Sequence, residues 1–336
     1  MPKVTKSKTE DDEKIITPKK KKNSKKNINM AKMCSDALDW MEEFKEDYES
    51  PVEKKENKTL PWVEKFRPKK LEDIISHEHI TSTLKKLINK KQFPHLLLSG
   101  PPGTGKTSAI MACARELYGN NYATMVLDIN ASEERGIEII RSKVKNFIST
   151  KGIFLNKDSS VFKLVILDEA DAMTSDAQSM LVSIIEKFSF NVRFCLICNY
   201  IKKIHPLIQS RCTIFKFSPL TKENITIKLN DIASQMNLKI TKDGIDSIIK
   251  ISRGDMRKVL NILQATSMTS QIINSENVTN CIGYPTSSHV NEILHSLMKN
   301  PYQQCHNDIQ KIIIMNGYSL MDIINELTDL IINKFI

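Results

Sequence analysis

The sequence predicts an α/β fold in which a parallel sheet is covered by helices, followed by two smaller helical regions. Short apolar runs alternate with helical patterns from Leu60 onward, which is typical of parallel strands joined by crossover helices. A glycine-rich loop at 100–107 joins one apolar run directly to a helical pattern. Beyond Pro219 the strand patterns fade and only helical patterns follow.

Each predicted strand is a short apolar run, and each predicted helix has apolar residues at helical spacing. The predicted strands lie at 95–99, about 124–129, 162–167, 192–198 and 213–217. The predicted helices between them lie at about 77–91, 106–118, 134–148 and 175–187. Beyond the sheet, small helices are predicted at 222–237, 242–251, 255–267 and 275–281, and longer ones within 287–336.

The first 58 residues differ in composition from the rest of the chain. Residues 1–30 hold ten lysines against four acidic residues, and residues 31–58 hold five lysines against nine. Residues 1–30 are so polar that they bury too little apolar surface to fold, and we predict a disordered basic and acidic extension over 1–58, in which 36–49 could form a short amphipathic helix. The lysine cluster at 18–26 is typical of a nuclear import signal or nucleic-acid arm, and equally of a solubilising tail.

Composition narrows the class of protein. The chain has 336 residues, enough for two or three domains, with 40% hydrophobic and 26% charged residues, as in soluble globular proteins. It contains neither an apolar run of 18 residues nor the apolar core of a secretory signal, so no membrane span is expected. Seven cysteines without framework spacing fit a reducing compartment. Cys195 and Cys198 are predicted on opposite faces of one strand, as buried thiols.

The net charge of +10 is a weaker indication of function. The part of the chain after residue 58 is basic even without the lysine-rich extension. A basic domain points to a polyanionic partner such as nucleic acid, although a solvated basic face is the commoner cause.

The loop at 100–107 fits the phosphate-binding pattern G-x-x-x-x-G-K-[ST] at every fixed position. Its glycines let backbone N–H groups turn toward phosphate oxygens, and the following helix N-terminus adds partial positive charge. Lys106 would reach the β- and γ-phosphates, and the Thr107 hydroxyl would bind Mg²⁺. The alternative is a glycine-rich turn before a helix. The predicted loop residues are Gly100, Pro101, Pro102, Gly103, Thr104, Gly105, Lys106, Thr107 and Ser108.

Two acidic residues end the predicted strand at 162–167. Asp168 would hold the Mg²⁺ shell, and Glu169 would orient and deprotonate an attacking water. Ligands of open α/β sheets sit at the carboxyl ends of the strands, where these carboxylates are expected. The alternative is an acidic helix cap. The run 168–171 also spells the DEAD tetrad of helicases, which we interpret as a coincidence because no other helicase element is present.

Three further polar residues could complete such a site. Asn199 ends the predicted strand at 192–198, where its amide could bond the γ-phosphate or the water, although a strand-ending Asn is often only a turn residue. Arg211 and Arg257 could neutralise charge on a transferred phosphoryl group. Their default interpretation is as surface arginines.

Seven motifs together resemble a known family. In order, they lie at 61–68, 100–107, 130–137, 167–173, 199–200, 210–212 and 254–257. The chain resembles a small subunit of replication factor C, the eukaryotic sliding-clamp loader of the AAA+ class. The runs at 185–188 and 193–200 resemble one member of that family in particular.

The resemblance implies a domain plan and a set of partners. It implies an AAA+ α/β P-loop ATPase domain at 59–219, a small helical lid domain at 220–284 and a C-terminal helical collar at 285–336. It also implies a nuclear heteropentamer with the other replication factor C subunits. That ring would use ATP and Mg²⁺ to open the PCNA clamp and load it on primer–template DNA.

The resemblance also implies roles for individual residues. Asn199 and Arg257 match the family's two sensor positions, and Arg211 matches an arginine finger that acts in trans on a neighbour's ATP. The residues implied at the adenosine end of the nucleotide are Val63, Arg67 and Ile75. The residues implied at DNA phosphates are Arg141, Lys143 and Lys145, for which a solvated helix face is the alternative.

The sequence departs from the family in three places, one of which is the added lysine-rich tail. After 176–179 the family usually has two arginines that face DNA or a neighbour, whereas this chain has Val182 and Ser183. The collar is expected to be about one or two helices shorter than in the family. Two interpretations are open: the collar is reduced, or the gene model is truncated.

These observations leave three hypotheses. The first is an ATP-hydrolysing clamp-loader subunit. The second is a structural subunit that binds ATP without hydrolysing it and supplies Arg211 to its neighbour. The third, a free-standing AAA+ helicase or remodeller, lacks pore-loop and helicase motifs.

Overall fold

The computed structural model describes residues 60–90, 92–133, 137–149 and 162–335. The predicted disordered extension at 1–58 lies outside these residues, as do the first residues of the predicted helix at 134–148. In the part of the chain that the structure describes, every helix is too short or too polar to cross a membrane.

A five-stranded, fully parallel sheet forms the first half of the described chain. Its strand order is β2–β3–β4–β1–β5, so β1, which leads into the glycine-rich loop, lies between β4 and β5. The strands are β1 (Leu96–Ser99), β2 (Val126–Asn130), β3 (Lys163–Asp168), β4 (Val192–Cys198) and β5 (Thr213–Lys216). Because all five run in the same direction, their carboxyl ends meet at one edge of the sheet, which places the site there.

Helices cover both faces of this sheet, as the alternating pattern predicts. The helices in this region are α1 (Trp62–Lys65), α2 (Glu78–Asn89), α3 (Lys106–Tyr118), α4 (Tyr122–Met125), α5 (Ile137–Ser149), α6 (Ser175–Phe188) and α7 (Pro206–Arg211). Leu97 of β1 packs in a core with α5 and α6 on one face, whereas Leu96 and Leu98 pack in a second core with α2 and α3. Each fully buried leucine side chain contributes about 2 kcal/mol to folding.

The two strand cysteines confirm the predicted alternation. Cys195 lies in the core with α2 and α3, and Cys198 lies in the core on the other face. Burial raises the pKa of the Cys198 thiol to about 12 and that of Cys195 well above its ordinary value. Both are therefore structural thiols, held protonated at neutral pH.

A helical unit follows the sheet. It contains α8 (Lys222–Gln235), α9 (Lys242–Ser252), α10 (Met256–Thr269) and α11 (Ser275–Ile282), together with two short strands that the sequence did not predict, β6 (Lys239–Ile240) and β7 (Ile272–Ile273). Side-chain caps start its helices: Thr221, Thr241, Asp255 and Asn274 each accept a hydrogen bond from a backbone N–H in the first turn. The side chain of Trp62 of α1 packs in the core of this unit, and its backbone N–H donates to Gln264 Oε1 at 3.0 Å.

Three longer helices close the described chain: α12 (Ser287–Lys299), α13 (Tyr302–Asn316) and α14 (Leu320–Phe335). Their small core contains Ile293, Tyr318 and Ile323. Gly317 ends α13 with a left-handed backbone, which lets the chain turn back into α14.

Candidate active site

The glycine-rich loop runs from the end of β1 to the start of α3 and holds its shape through left-handed glycines. Gly100 has φ +151°, and a Cβ on it would lie 2.2 Å from the Phe217 carbonyl oxygen. Gly103 has φ +68°, and a Cβ on it would lie 1.6 Å from Asp255 Oδ1. A side chain at either position would be strained by the backbone angle, and a side chain on Gly100 would also overlap backbone atoms of Phe217.

Lys106, the first residue of α3, is buried, with 7% of its surface exposed. Its Nζ donates to the carbonyl oxygens of Gly100 at 2.7 Å and Pro101 at 2.8 Å, and to Asn199 Oδ1 at 3.1 Å. Burial lowers the pKa of this ammonium, and the nearby Asp168 carboxylate partly opposes that shift. A buried cation held by uncharged oxygens is arranged to accept an anionic ligand.

A hydroxyl and a carboxylate meet beside the lysine. Thr107 Oγ1 donates to Asp168 Oδ2 at 2.8 Å, which joins the start of α3 to the carboxyl end of β3. Oxygen donors of this kind, with room for phosphate oxygens and water, fit the octahedral shell of Mg²⁺. The predicted metal residues therefore have the right chemistry and the right proximity for that ion.

Glu169 extends from the strand tip in an unusual backbone conformation. Its φ is +53°, in the left-handed region that non-glycine residues rarely occupy. Its N–H donates to Asp168 Oδ1 at 2.8 Å, and its exposed carboxylate lines the same cavity as Lys106. A strained acidic residue at a cavity wall is a common arrangement for a group that acts on a bound ligand.

Asp171 is a residue that the sequence interpretation missed. Its Oδ2 accepts the backbone N–H groups of Asn199 at 3.2 Å and Tyr200 at 3.0 Å, and so holds the end of β4. The sequence interpretation treats the tetrad at 168–171 as a coincidence. In the structure, the Asp171 carboxylate holds the backbone of Asn199, and the side-chain amide of Asn199 contacts Lys106. An acidic residue one turn past a strand-tip carboxylate was the signal that could have found it.

The cavity extends toward α1 and the helical unit. Val63, Arg67 and Ile75, implied at the adenosine end, all line it. From the helical unit the sequence interpretation named only Arg257; Asn224 and Lys228 of α8 and Met256 and Leu260 of α10 also line the cavity. The predicted site residues that line it are Val63, Arg67, Ile75, Pro102, Gly103, Thr104, Gly105, Lys106, Thr107, Ser108, Asp168, Glu169, Asn199 and Arg257.

The remaining predicted residues lie outside the cavity wall. Gly100 and Pro101 contribute through the carbonyls that hold Lys106. Arg211, the last residue of α7, is in an ion pair with Glu186, and its Nη1 donates to the Leu207 carbonyl at 3.0 Å. The basic residues of α5 predicted to face DNA are exposed: Arg141, Lys143 and Lys145.

Comparison with known proteins identifies the class of this fold. The family described as "ATPase family associated with various cellular activities (AAA)" matches residues 96–220. The solved Holliday junction branch migration motor RuvB of Thermotoga maritima has the same fold, with a TM-score of 0.52 and 20% identity over 70% of this chain and 80% of that one. Residues 96–220 therefore form an AAA domain.

Its closer relatives define the family. The replication factor C C-terminal domain matches residues 285–336. The human replication factor C subunit 5 is 48% identical over 80% of this chain and 78% of its own. The probable subunit 5 of Caenorhabditis elegans is 48% identical over 81% of this chain and 76% of its own, and Schizosaccharomyces pombe subunit 3 is 48% identical over 79% and 77%.

The chain belongs to the replication factor C subunit family, and it is an ATPase subunit of that clamp-loading complex. The resemblance inferred from the seven motifs is confirmed. The runs at 185–188 and 193–200 had indicated the subunit named 5 in human nomenclature, and relatives of that name are among the matches.

Proposed function

We propose that the chain binds ATP with Mg²⁺ in the cavity between the sheet and the helical unit, and hydrolyses it to drive loading of the PCNA clamp on primer–template DNA in the nucleus. The observation that carries the proposal is the meeting of Lys106, the Thr107–Asp168 pair and Glu169 at one cavity. A triphosphate would accept hydrogen bonds from the backbone N–H groups of 103–107 and would pair with the charged ammonium of Lys106.

Each catalytic group has a distinct task. Glu169 would accept a proton from the attacking water, and Asn199 would orient that water or the γ-phosphate. Arg257 would approach the phosphates from α10. A bound Mg²⁺ supplies charge neutralisation on the phosphate oxygens, and Thr107 with Asp168 would hold it.

Arg211 would act outside its own site. Arg211, at the end of α7, is in an ion pair with Glu186 and is not among the residues that line the cavity. We assign it to the ATP of a neighbouring subunit in the heteropentamer, where it would neutralise the transferred phosphoryl group. The cavity of this chain would in turn be completed by another subunit.

The basic residues of α5 would contact DNA. Arg141, Lys143 and Lys145 are exposed on one helix and would bind phosphates without sequence preference, which makes the affinity strongly dependent on salt. Within this proposal, residues 59–219 form the AAA+ domain, 220–284 the lid and 285–336 the collar that joins the ring.

Reconstituted pentamers test the proposal through clamp loading on primer–template DNA. A pentamer with Lys106→Ala in this chain should bind one ATP fewer and load PCNA more slowly than the wild type. The matched control is Lys202→Ala, an exposed lysine outside the cavity. Unchanged loading and an unchanged number of bound nucleotides would contradict the proposal.

A structural subunit that binds ATP without hydrolysing it is the second candidate. Such a subunit would still supply Arg211, which does not line this chain's own cavity, to the ATP of a neighbour. The two candidates differ in the effect of Glu169→Gln on turnover.

A further inference from the structure

A buried carboxylate joins α14 to the helical unit, some of whose residues line the cavity. Glu326 of α14 is 6% exposed, and both of its oxygens have donors. Lys250 Nζ lies 2.6 Å from Oε2, and the Tyr284 hydroxyl donates to Oε1 at 2.9 Å. The cluster therefore links three separate segments: α9, the connection before α12, and α14.

The two charged side chains of the cluster differ in burial, and this difference determines how much the loss of one partner would cost. The Lys250 side chain is 52% exposed, whereas the Glu326 side chain is 8% exposed. An exposed pair would contribute little. Here, removal of the lysine would leave a buried carboxylate with the Tyr284 hydroxyl as its remaining partner in the cluster, which is strongly unfavourable.

A short, well-fixed turn connects this cluster to the cavity. Lys250 lies in the last turn of α9, which ends at Ser252. Arg253 and Gly254 follow in left-handed conformations, with φ +52° and +85°. The Gly254 carbonyl accepts the Leu220 N–H at 3.2 Å, and a Cβ on Gly254 would lie 2.8 to 3.2 Å from atoms of Pro219 and Leu220.

The same turn leads into α10, whose first residue contacts the phosphate-binding loop. Asp255 caps α10 by accepting the N–H of Arg257 at 2.9 Å. The Met256 N–H donates to the Gly103 carbonyl at 3.1 Å. Arg257, the next residue, lines the cavity. A displacement of the end of α9 would therefore move Arg257 relative to the loop.

We propose that Glu326 is a positioning residue for the nucleotide site: through Lys250 and Tyr284 it holds the turn at 253–255, and so sets where Arg257 meets the nucleotide. The proposal rests on the proposed function, because it requires ATP in the cavity. It also makes the C-terminal helices part of the ATP site, since a shift of α14 would reach the γ-phosphate through Arg257.

Nucleotide affinity of the full-length chain tests the proposal. Fluorescent ATPγS and ADP analogues would be titrated into the wild type, Lys250→Met, Arg257→Ala and the double variant. Lys250→Met should lower the preference for the triphosphate over the diphosphate by about fivefold. Arg257→Ala should lower it at least as much, and the double variant should lose no more than Arg257→Ala alone, because both act through one contact.

Controls separate this effect from a general loss of stability. Lys239→Met removes an exposed lysine of the same helical unit, outside the cavity, and should leave the preference unchanged. Lys250→Arg keeps the charge and should restore it. If Lys250→Met is unfolded at the assay temperature, Tyr284→Phe, which removes one hydroxyl, should lower the preference in the same direction.

Two results would overturn the proposal. The first is an unchanged preference for the triphosphate in Lys250→Met, whether or not its melting temperature is lowered, or, where that variant is unfolded, in Tyr284→Phe. The second is an additive loss in the double variant. The proposed function has its own control: if the wild type binds ATPγS no better than Lys106→Ala, that function fails and this inference fails with it. If only the Lys250 and Tyr284 variants behave as wild type, the inference alone fails.

Discussion

The N–H of Met256 donates to the carbonyl oxygen of Gly103 at 3.1 Å, so the first turn of α10 rests directly on the phosphate-binding loop. The cap of the same helix, Asp255, fills the space where a side chain on Gly103 would stand. The helical unit and the loop therefore fit together through a close contact that the absence of a side chain on Gly103 permits.

Gly103→Ala should therefore push α10 away from the loop. The added methyl group would overlap Asp255 and require φ +68° of a non-glycine residue. We expect ATP affinity to fall at least about tenfold. Gly119→Ala is a matched control, because Gly119 also has positive φ (+50°) but has no atom within 4 Å of the added Cβ. Equal effects of the two changes on affinity would show that the contact with Asp255 is irrelevant.

Asp171→Ala should slow hydrolysis more than it weakens binding. The carboxylate holds the backbone of Asn199 and Tyr200, and Asn199 in turn contacts Lys106. Loss of such a supporting hydrogen bond commonly lowers activity about tenfold. Steady-state ATPase kinetics of the reconstituted complex should show a lower kcat with a nearly unchanged KM. Asp171→Asn should retain part of the activity, and Asp176→Ala, an exposed residue of α6, should retain all of it. A raised KM with unchanged kcat would assign Asp171 to binding instead.

Asp168→Asn should raise the Mg²⁺ concentration that nucleotide binding requires. In the wild type the Thr107 hydroxyl donates to the Asp168 carboxylate at 2.8 Å. The amide keeps an acceptor for this hydroxyl but loses the negative charge that a divalent cation needs. The Mg²⁺ concentration for half-maximal ATP binding should rise at least about tenfold. Glu169→Gln is the control, since that residue is proposed to act on water. If Asp168→Asn and the wild type have the same Mg²⁺ requirement, the assignment of the metal site is wrong.

The stability of the fold should fall as the pH drops below 6.5, and His95 should contribute to this dependence. Its Nδ1 accepts the Phe194 N–H at 3.1 Å, and burial, with a smaller effect of Arg193, lowers the pKa of the imidazole to about 4 from 6.5. Between these two values the unfolded chain binds more protons than the folded chain, so the free energy of unfolding rises with pH. The contribution is complete above pH 6.5 and is lost as the pH falls toward 4.

Chemical denaturation at pH 4.5 to 7.5 measures this effect. His95→Asn can keep an acceptor near the Nδ1 position without titrating, so its stability should change less over that pH range. His79→Asn, an exposed histidine of α2, should keep the wild-type dependence. The account of His95 would be refuted by identical slopes for the wild type and His95→Asn.

Much of the fold could be predicted because local chemistry determined it. A few adjacent residues are enough to predict each of three features: the glycine-rich loop, the acidic strand tip at Asp168 and the end of β4 at Asn199. Parallel strands with their carboxyl ends at one edge then bring these separate segments together. The two-residue strands β6 and β7 were missed because runs this short carry no periodic pattern.

The contacts between distant segments could not be predicted from local patterns. Asp171 holds Asn199 across 28 positions of sequence, and Lys250 reaches Glu326 across 76. Asn224 and Lys228 of α8 line the same cavity as the loop, although they lie in a distant part of the sequence. Side chains of this kind look like ordinary surface charges until the topology brings them together.

DNA-stimulated ATP turnover of the reconstituted pentamer tests the central claim most directly. Glu169→Gln in this chain should lower total turnover while ATP binding stays at the wild-type level, because the carboxylate that accepts the proton is lost. Arg211→Ala should also lower turnover, through the neighbouring site. Turnover that is unchanged by Glu169→Gln but lowered by Arg211→Ala would contradict the claim and make this chain a structural subunit.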